Sequence, residues 1–213
     1  MSVRKPVTSS DLRDAASQCA SWVLRVDPAL WDKQAYGLEW IRSRTISHID
    51  DALAFYSRSL ASRNTENPGV RGPVLQEGSI EASARQIEAG AEVLVRVSDG
   101  TPEGVRAFSP TGQPDVEGFL AMACAEIMVH GYDAVAGTEA EFDPDDGLCR
   151  RILGRLFPWA PPNTPGWTTL LWATGRGELE GQDFLGETWV WHNDLLADWE
   201  GAVPSYSLWV GRK

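Results

Sequence analysis

Cysteine is scarce in this 213-residue chain: Cys19, Cys124 and Cys149 are an odd number, and no two of them stand at a CxxC spacing. That argues against a disulfide framework and a cysteine-built zinc site, and leaves reduced, buried thiols in a cytoplasmic protein as the expectation. A signal peptide is not expected, because MSVRKPVTSS contains no apolar run. Nor is a membrane span. The longest apolar stretch, Gly118 to Gly137, has Glu117 at its edge and Glu126, His130 and Asp133 inside it. Basic clusters are missing too. With a formal net charge of −11 the surface repels phosphate backbones and anionic headgroups, so neither nucleic acid nor membrane is an expected partner. There is no repeat, P-loop, nucleophile elbow or HExxH motif. Gly175-Arg176-Gly177-Glu178-Leu179-Glu180-Gly181 has the wrong glycine spacing for a nucleotide loop and reads as a tight turn. Asp143-Pro144-Asp145-Asp146-Gly147 lacks the ligand order of a calcium loop and reads as a helix cap.

What remains is a globular composition, 43% hydrophobic and 23% charged, with ten tryptophans that suit core or pocket positions. Helical periodicity predicts four long helices. The first runs from about Ser10 to Arg25, capped by Ser9 or Ser10, with Ala15, Cys19, Trp22 and Val23 on its apolar face. The second covers roughly Ser43 to Arg63, with an Ile46, Ile49, Leu53, Tyr56 and Leu60 stripe. A loop over Asn64 to Gly72 leads to a third at Ser79 to Val97. The fourth begins near Asp115 and ends near Ala136, with Gly137 as its stop. These four predict a helical bundle. A fifth helix is expected from Asp143-Pro144, with the aspartate as cap and the proline in the first turn, up to about Phe157, followed by a proline-rich break. The tail from Gly166 is aromatic and β-leaning at Trp167 to Trp172 and Glu187 to Trp191, with helix as an alternative over Thr168 to Ala173. The expected organisation is a bundle over residues 1–140 and a small, Trp-rich α+β extension over 141–213 that packs on it, and through which the chain can dimerise.

The fourth helix carries the chemistry. VEGFLAMACAEIMVHGYDAVAG is apolar on nearly every side, yet Glu126, His130 and Asp133 follow at steps of four and three and so share one sector. A buried, isolated carboxylate is costly, so protonation, an arginine partner or a metal must compensate it. Glu126 and His130, one turn apart, can ligate one divalent ion side by side, and oxygen–nitrogen donors suit zinc, nickel, manganese, iron or cobalt. A hydrogen-bonded core pair is the other reading of the same spacing. A third ligand has to come from elsewhere. Only three histidines exist, and His48, beside Ile49 on the second helix, suits the role better than His192 in the tail.

Two stretches carry a resemblance. Glu39-Trp40-Ile41-Arg42-Ser43-Arg44-Thr45-Ile46-Ser47-His48-Ile49 and Ala125-Glu126-Ile127-Met128-Val129-His130-Gly131-Tyr132-Asp133 are similar to the mycothiol-dependent maleylpyruvate isomerase family, within the DinB/YfiT-like group of metal-binding four-helix bundles. The resemblance covers roughly residues 10–140 and implies a mainly α, DinB-like fold with His48, Glu126 and His130 as the metal ligands. It also implies an open metal position, zinc first among the candidate ions, and a low-molecular-weight thiol, mycothiol, as cosubstrate. The metal would lower the thiol pKa, and the thiolate would add to an activated double bond. Addition, rotation and elimination give cis–trans isomerisation, and addition alone gives thiol transfer. Leu171-Trp172-Ala173-Thr174-Gly175-Arg176 looks like a stretch found after the bundle in family members, so Arg176 and Arg212 are candidates for the family's functional C-terminal arginine. The approach to the second helix departs from the family's Gly-Trp-Thr pattern, reading Gly37-Leu38-Glu39-Trp40. Asp133 is expected to orient a ligand or substrate, or else to be a helix-end carboxylate met by water or nearby backbone; Asp51 is expected to orient His48, and Arg44 to meet a substrate carboxylate or to form a surface salt bridge. The alternatives are a ligand-binding or stress-response module without turnover, and a metal-dependent biosynthetic enzyme that uses no thiol.

Overall fold

The computed structural model describes residues 4–66 and 79–204. The Pro68-Gly69 part of the expected loop, Trp209 and Arg212 lie outside these residues. Four long helices form the bundle: α1 Ser9–Val23, α2 Arg42–Ser62, α3 Ile80–Asp99 and α4 Val116–Val135. Both α1 and α2 pack between α3 and α4, so α1 and α2 face each other across the bundle.

The helix limits follow from capping. At α1 the cap is Thr8 rather than the expected Ser9 or Ser10. The Thr8 hydroxyl accepts from the Asp11 amide and the Asp11 carboxylate accepts from the Thr8 amide, a reciprocal pair that leaves the serines inside the first turn. Ser79 caps α3 through the Ala82 amide, and Asp115 caps α4 through the Gly118 amide. Gly137, at φ 75, turns the chain out of α4, as its position predicts. The fifth helix, α5 (Asp146–Leu156), starts later than expected. Asp145 caps it through the Leu148 amide, and Asp143-Pro144 precedes it in the connection.

The tail corrects the β-leaning expectation. Trp167 to Trp172 lies in helix α6 (Gly166–Ala173), and Glu187 to Trp191 passes from a single 3-10 turn into chain that belongs to no strand. Two isolated bridges, Gln34 with Ile41 and Ser109 with Gly112, are the only β pairing among the described residues. Alternating aromatics promote a strand only where a neighbouring strand can take up the ladder. Here the extended piece instead lies against α5 and the connection between α3 and α4. The His192 amide donates to the Leu156 carbonyl at 2.7 Å, the Trp191 indole N–H to Thr111 Oγ1 at 3.1 Å, and the Asn193 amide to Ser109 Oγ at 2.9 Å.

One buried cation ties these parts together. Arg155 of α5 is only 1% exposed. Its guanidinium donates to the α4 cap Asp115 at 2.9 Å and to the carbonyls of His192 and Asn193. The core around it is mainly apolar, with Phe119, Met122, Ile127 and Met128 of α4 packed with Leu12, Ile49, Leu53, Ile87 and Leu94. No helix among the described residues is long and apolar enough to cross a membrane.

Arg155→Met is expected to lower the unfolding free energy by about 3 kcal/mol, the lower end for breaking a buried pair, because its partner Asp115 keeps some contact with water. Urea denaturation compared with the parent protein measures this.

Candidate metal centre

Because α4 is surrounded by the other helices and the tail, nearly every side chain on it is buried. Glu126 and His130 are partial exceptions, opening on one side into a cavity of about 630 Å³. Its floor is His48, Glu126 and His130, and its walls include Leu38 together with Phe184, Trp189 and Trp191 of the tail. One donor atom from each of His48, Glu126 and His130 lies within 4.8 Å of the others. Glu126 Oε2 is 3.2 Å from His130 Nε2 and 3.7 Å from His48 Nε2, the latter too long for a hydrogen bond. The two imidazoles meet edge to face with centroids 4.9 Å apart, and Trp40 packs on the far side of His48 at 5.2 Å.

The other polar atoms of Glu126 and His130 are engaged elsewhere. Tyr56 of α2 donates its phenol hydrogen to Glu126 Oε1 at 3.0 Å. His130 Nδ1 is 3.0 Å from Asp133 Oδ2, which assigns the ring N–H to Nδ1 and leaves Nε2 facing His48 and Glu126. Asp133 is 1% exposed and is held by Arg176, whose Nε and Nη2 donate to it at 2.8 to 3.0 Å. Arg176 also donates to the Thr174 carbonyl at 2.9 Å. Gly175 makes this possible. It takes φ 72, and a Cβ there would fall 1.9 Å from the Gly186 carbonyl oxygen, so only glycine turns the chain tightly enough to swing Arg176 back onto α4.

Electrostatics follow from this packing. Burial opposes ionisation of Glu126, but the hydrogen bond and charge of His130, the charge of His48 and the Tyr56 hydroxyl outweigh it and hold the carboxyl at about 2. Burial likewise opposes protonation of His130, yet Asp133 and Glu126 raise its pKa above the ordinary imidazole value. His48, with burial dominant, is lowered. Burial pushes the Tyr56 phenol well above its usual range, so it remains a donor.

The donor set suits a divalent ion. Two imidazole nitrogens and a carboxylate oxygen converge, while Tyr56 and Asp133 occupy the atoms on the far side of Glu126 and His130. The structure thus brings His48, Glu126 and His130 together and sets Asp133 and Arg176 directly behind His130. Arg44 is not directed at them: it pairs with Asp51 at 3.5 Å and lies over the Trp40 ring at 5.2 Å. Asp51 therefore faces Arg44 instead of hydrogen-bonding His48. His192 is spent on the tail, its Nε2 meeting the Leu195 carbonyl at 3.0 Å. Tyr56 was legible in the sequence only as a member of an apolar stripe. A buried tyrosine needs a partner for its hydroxyl, but nothing along the chain identifies Glu126 as that partner. The cavity-lining part of Trp189 and Trp191 was equally hidden, because it depends on where the tail crosses the bundle.

No family profile matches the chain, and no curated sequence matches it. Solved structures do. A crystal structure of the mycothiol-dependent maleylpyruvate isomerase superposes with a TM-score of 0.57 at 18% identity, covering 79% of this chain and 88% of that one. A histidine-to-alanine variant of the mycothiol-dependent maleylpyruvate isomerase gives a TM-score of 0.51 at 18% identity, over 67% and 65%. The shared feature is the fold, which is mainly helical.

Two outcomes are expected. Replacing Arg176 by leucine strands the Asp133 carboxylate in the interior and should cost about 3–5 kcal/mol, whereas Arg176→Leu combined with Asp133→Asn should recover much of that loss. A double-mutant cycle of denaturation midpoints tests this. All three cysteines are buried, and burial pushes the Cys19 and Cys149 thiols up to about 12. At pH 8 a water-soluble disulfide reagent should therefore find no fast-reacting thiol in the folded chain and three in denaturant.

Proposed function

We propose that the protein is a metal-dependent enzyme in which His48, Glu126 and His130 hold one divalent cation and activate a small thiol or a substrate oxygen. The observation that carries this reading is the convergence of those three donors on the floor of an aromatic-walled cavity. A cation held there supplies Lewis acidity, lowering the pKa of a thiol or water that reaches it. Three protein ligands are the number found in open, catalytic sites.

The chain's own residues have defined parts. Asp133, fixed by Arg176, keeps the His130 ring in the tautomer whose Nε2 is free to ligate. Leu38, Phe184, Trp189 and Trp191 exclude water from one side of the cavity and offer flat apolar surface to a substrate. Two N–H groups of Arg176 remain beyond those used on Asp133 and Thr174, so it can also meet a substrate carboxylate at the cavity wall. The buried cysteines are unsuited to be the nucleophile, so a thiol reaction needs an external thiol. Likeness in fold to a mycothiol-dependent isomerase supports mycothiol as that thiol and cis–trans isomerisation as the reaction. Zinc is the first ion to try, followed by nickel, manganese, iron and cobalt.

Elemental analysis of protein purified from metal-supplemented medium should find one divalent ion per chain. His48→Ala and His130→Ala should each weaken binding by at least about 100-fold while the protein stays folded. Protein that stays metal-free after supplementation refutes the site. For the reaction, loss of absorbance from a conjugated cis-alkene should require both metal and added thiol. Turnover without thiol selects a thiol-independent metal enzyme, and tight thiol binding with no product selects a binding module.

A further inference from the structure

Tyr56 and the two histidines divide the Glu126 carboxylate between them. Both imidazole Nε2 atoms approach the same oxygen, Oε2, at 3.2 and 3.7 Å. The other oxygen, Oε1, accepts the Tyr56 hydroxyl at 3.0 Å. A free glutamate can chelate an ion through both oxygens or bind through one. Here the phenol is 6% exposed, so water cannot readily replace the carboxylate as its acceptor. Turning Glu126 to chelate would make Oε1 divide its lone pairs between the ion and the Tyr56 hydroxyl and would weaken that buried hydrogen bond, a penalty that disfavours the two-oxygen mode. Tyr56 is itself braced, with its ring edge to face with Phe119 at 6.0 Å and with Phe55 at 5.9 Å.

We infer that Tyr56 is a positioning residue that restricts Glu126 to ligation through Oε2 alone, keeping a coordination position on the cavity side free for the substrate or thiol. This rests on the metal site proposed above and adds the device that keeps it open.

The test uses the full chain loaded with zinc, as the parent protein and as Tyr56→Phe. Phenylalanine keeps the ring in its aromatic surroundings and removes only the hydroxyl. Crystal structures of the parent should place Oε2 alone at bonding distance, about 2.0–2.2 Å, with Oε1 still on Tyr56. In Tyr56→Phe both oxygens should reach the zinc. Titration of the zinc-loaded proteins with 2-mercaptoethanol, followed by calorimetry, should show binding to the variant weakened by roughly tenfold or more. A chelating Glu126 in the parent overturns the inference, even if the variant proves unstable. So does a variant that keeps one-oxygen ligation and unchanged thiol affinity. A parent that takes up no zinc overturns the metal site as well.

Discussion

A carboxylate in the middle of an otherwise apolar helix must be compensated, and the rest of the structure is arranged around that requirement. Glu126 cannot be hydrated from the core side of α4, where Phe119, Met122, Ile127 and Met128 pack. Its negative charge is met instead by His130 one turn along, by His48 from α2 and by the Tyr56 hydroxyl. Those contacts need α2 and α4 to be neighbours, which the bundle provides. His130 in turn is backed by Asp133, and Asp133 is even less exposed, so it needs a cation of its own. Arg176 answers that second requirement from outside the bundle. Each buried charge is thus balanced by a group on another segment, and together these pairs fix the relative positions of α2, α4 and the tail.

The tail closes the arrangement by a different physical route. Arg155 anchors its later part through the His192 and Asn193 carbonyls, and Gly175 bends its early part back toward α4. Between these points Trp189 and Trp191 come to line the cavity. A segment with no regular hydrogen-bonding pattern of its own is therefore held by a buried guanidinium at one end and an ion pair at the other. The aromatic wall is the product of that tethering.

How much of this was legible in the sequence depended on the range of the interaction. Periodicity located all four bundle helices, because a helix's buried face is written within a few turns of chain. The Glu126–His130–Asp133 sector was legible for the same reason, and the resemblance around Trp40 to His48 pointed to the third donor. Limits shifted where capping chemistry chose Thr8 over Ser9, or Asp145 over Asp143. The tail resisted because an aromatic-rich stretch fits a strand, a helix or an extended strap, and only its partners decide which. The burial of Arg155, the pairing of Arg44 with Asp51 and the acceptor of the Tyr56 hydroxyl all join residues distant in sequence or alternative in rotamer, and no local pattern encodes them.

The ion pair between Asp133 and Arg176 spans 43 positions of chain and ends one side chain away from the His130 imidazole. Linkage makes such a connection reciprocal. Anything that strengthens the orientation of His130 from the cavity side also strengthens the docking of the segment that carries Arg176, by the same free energy. Loosening that segment conversely softens the imidazole. The orientation of His130 and order in the tail are thus two readings of one equilibrium, and the protection of the Arg176 region against hydrogen exchange reports on how firmly that imidazole is held.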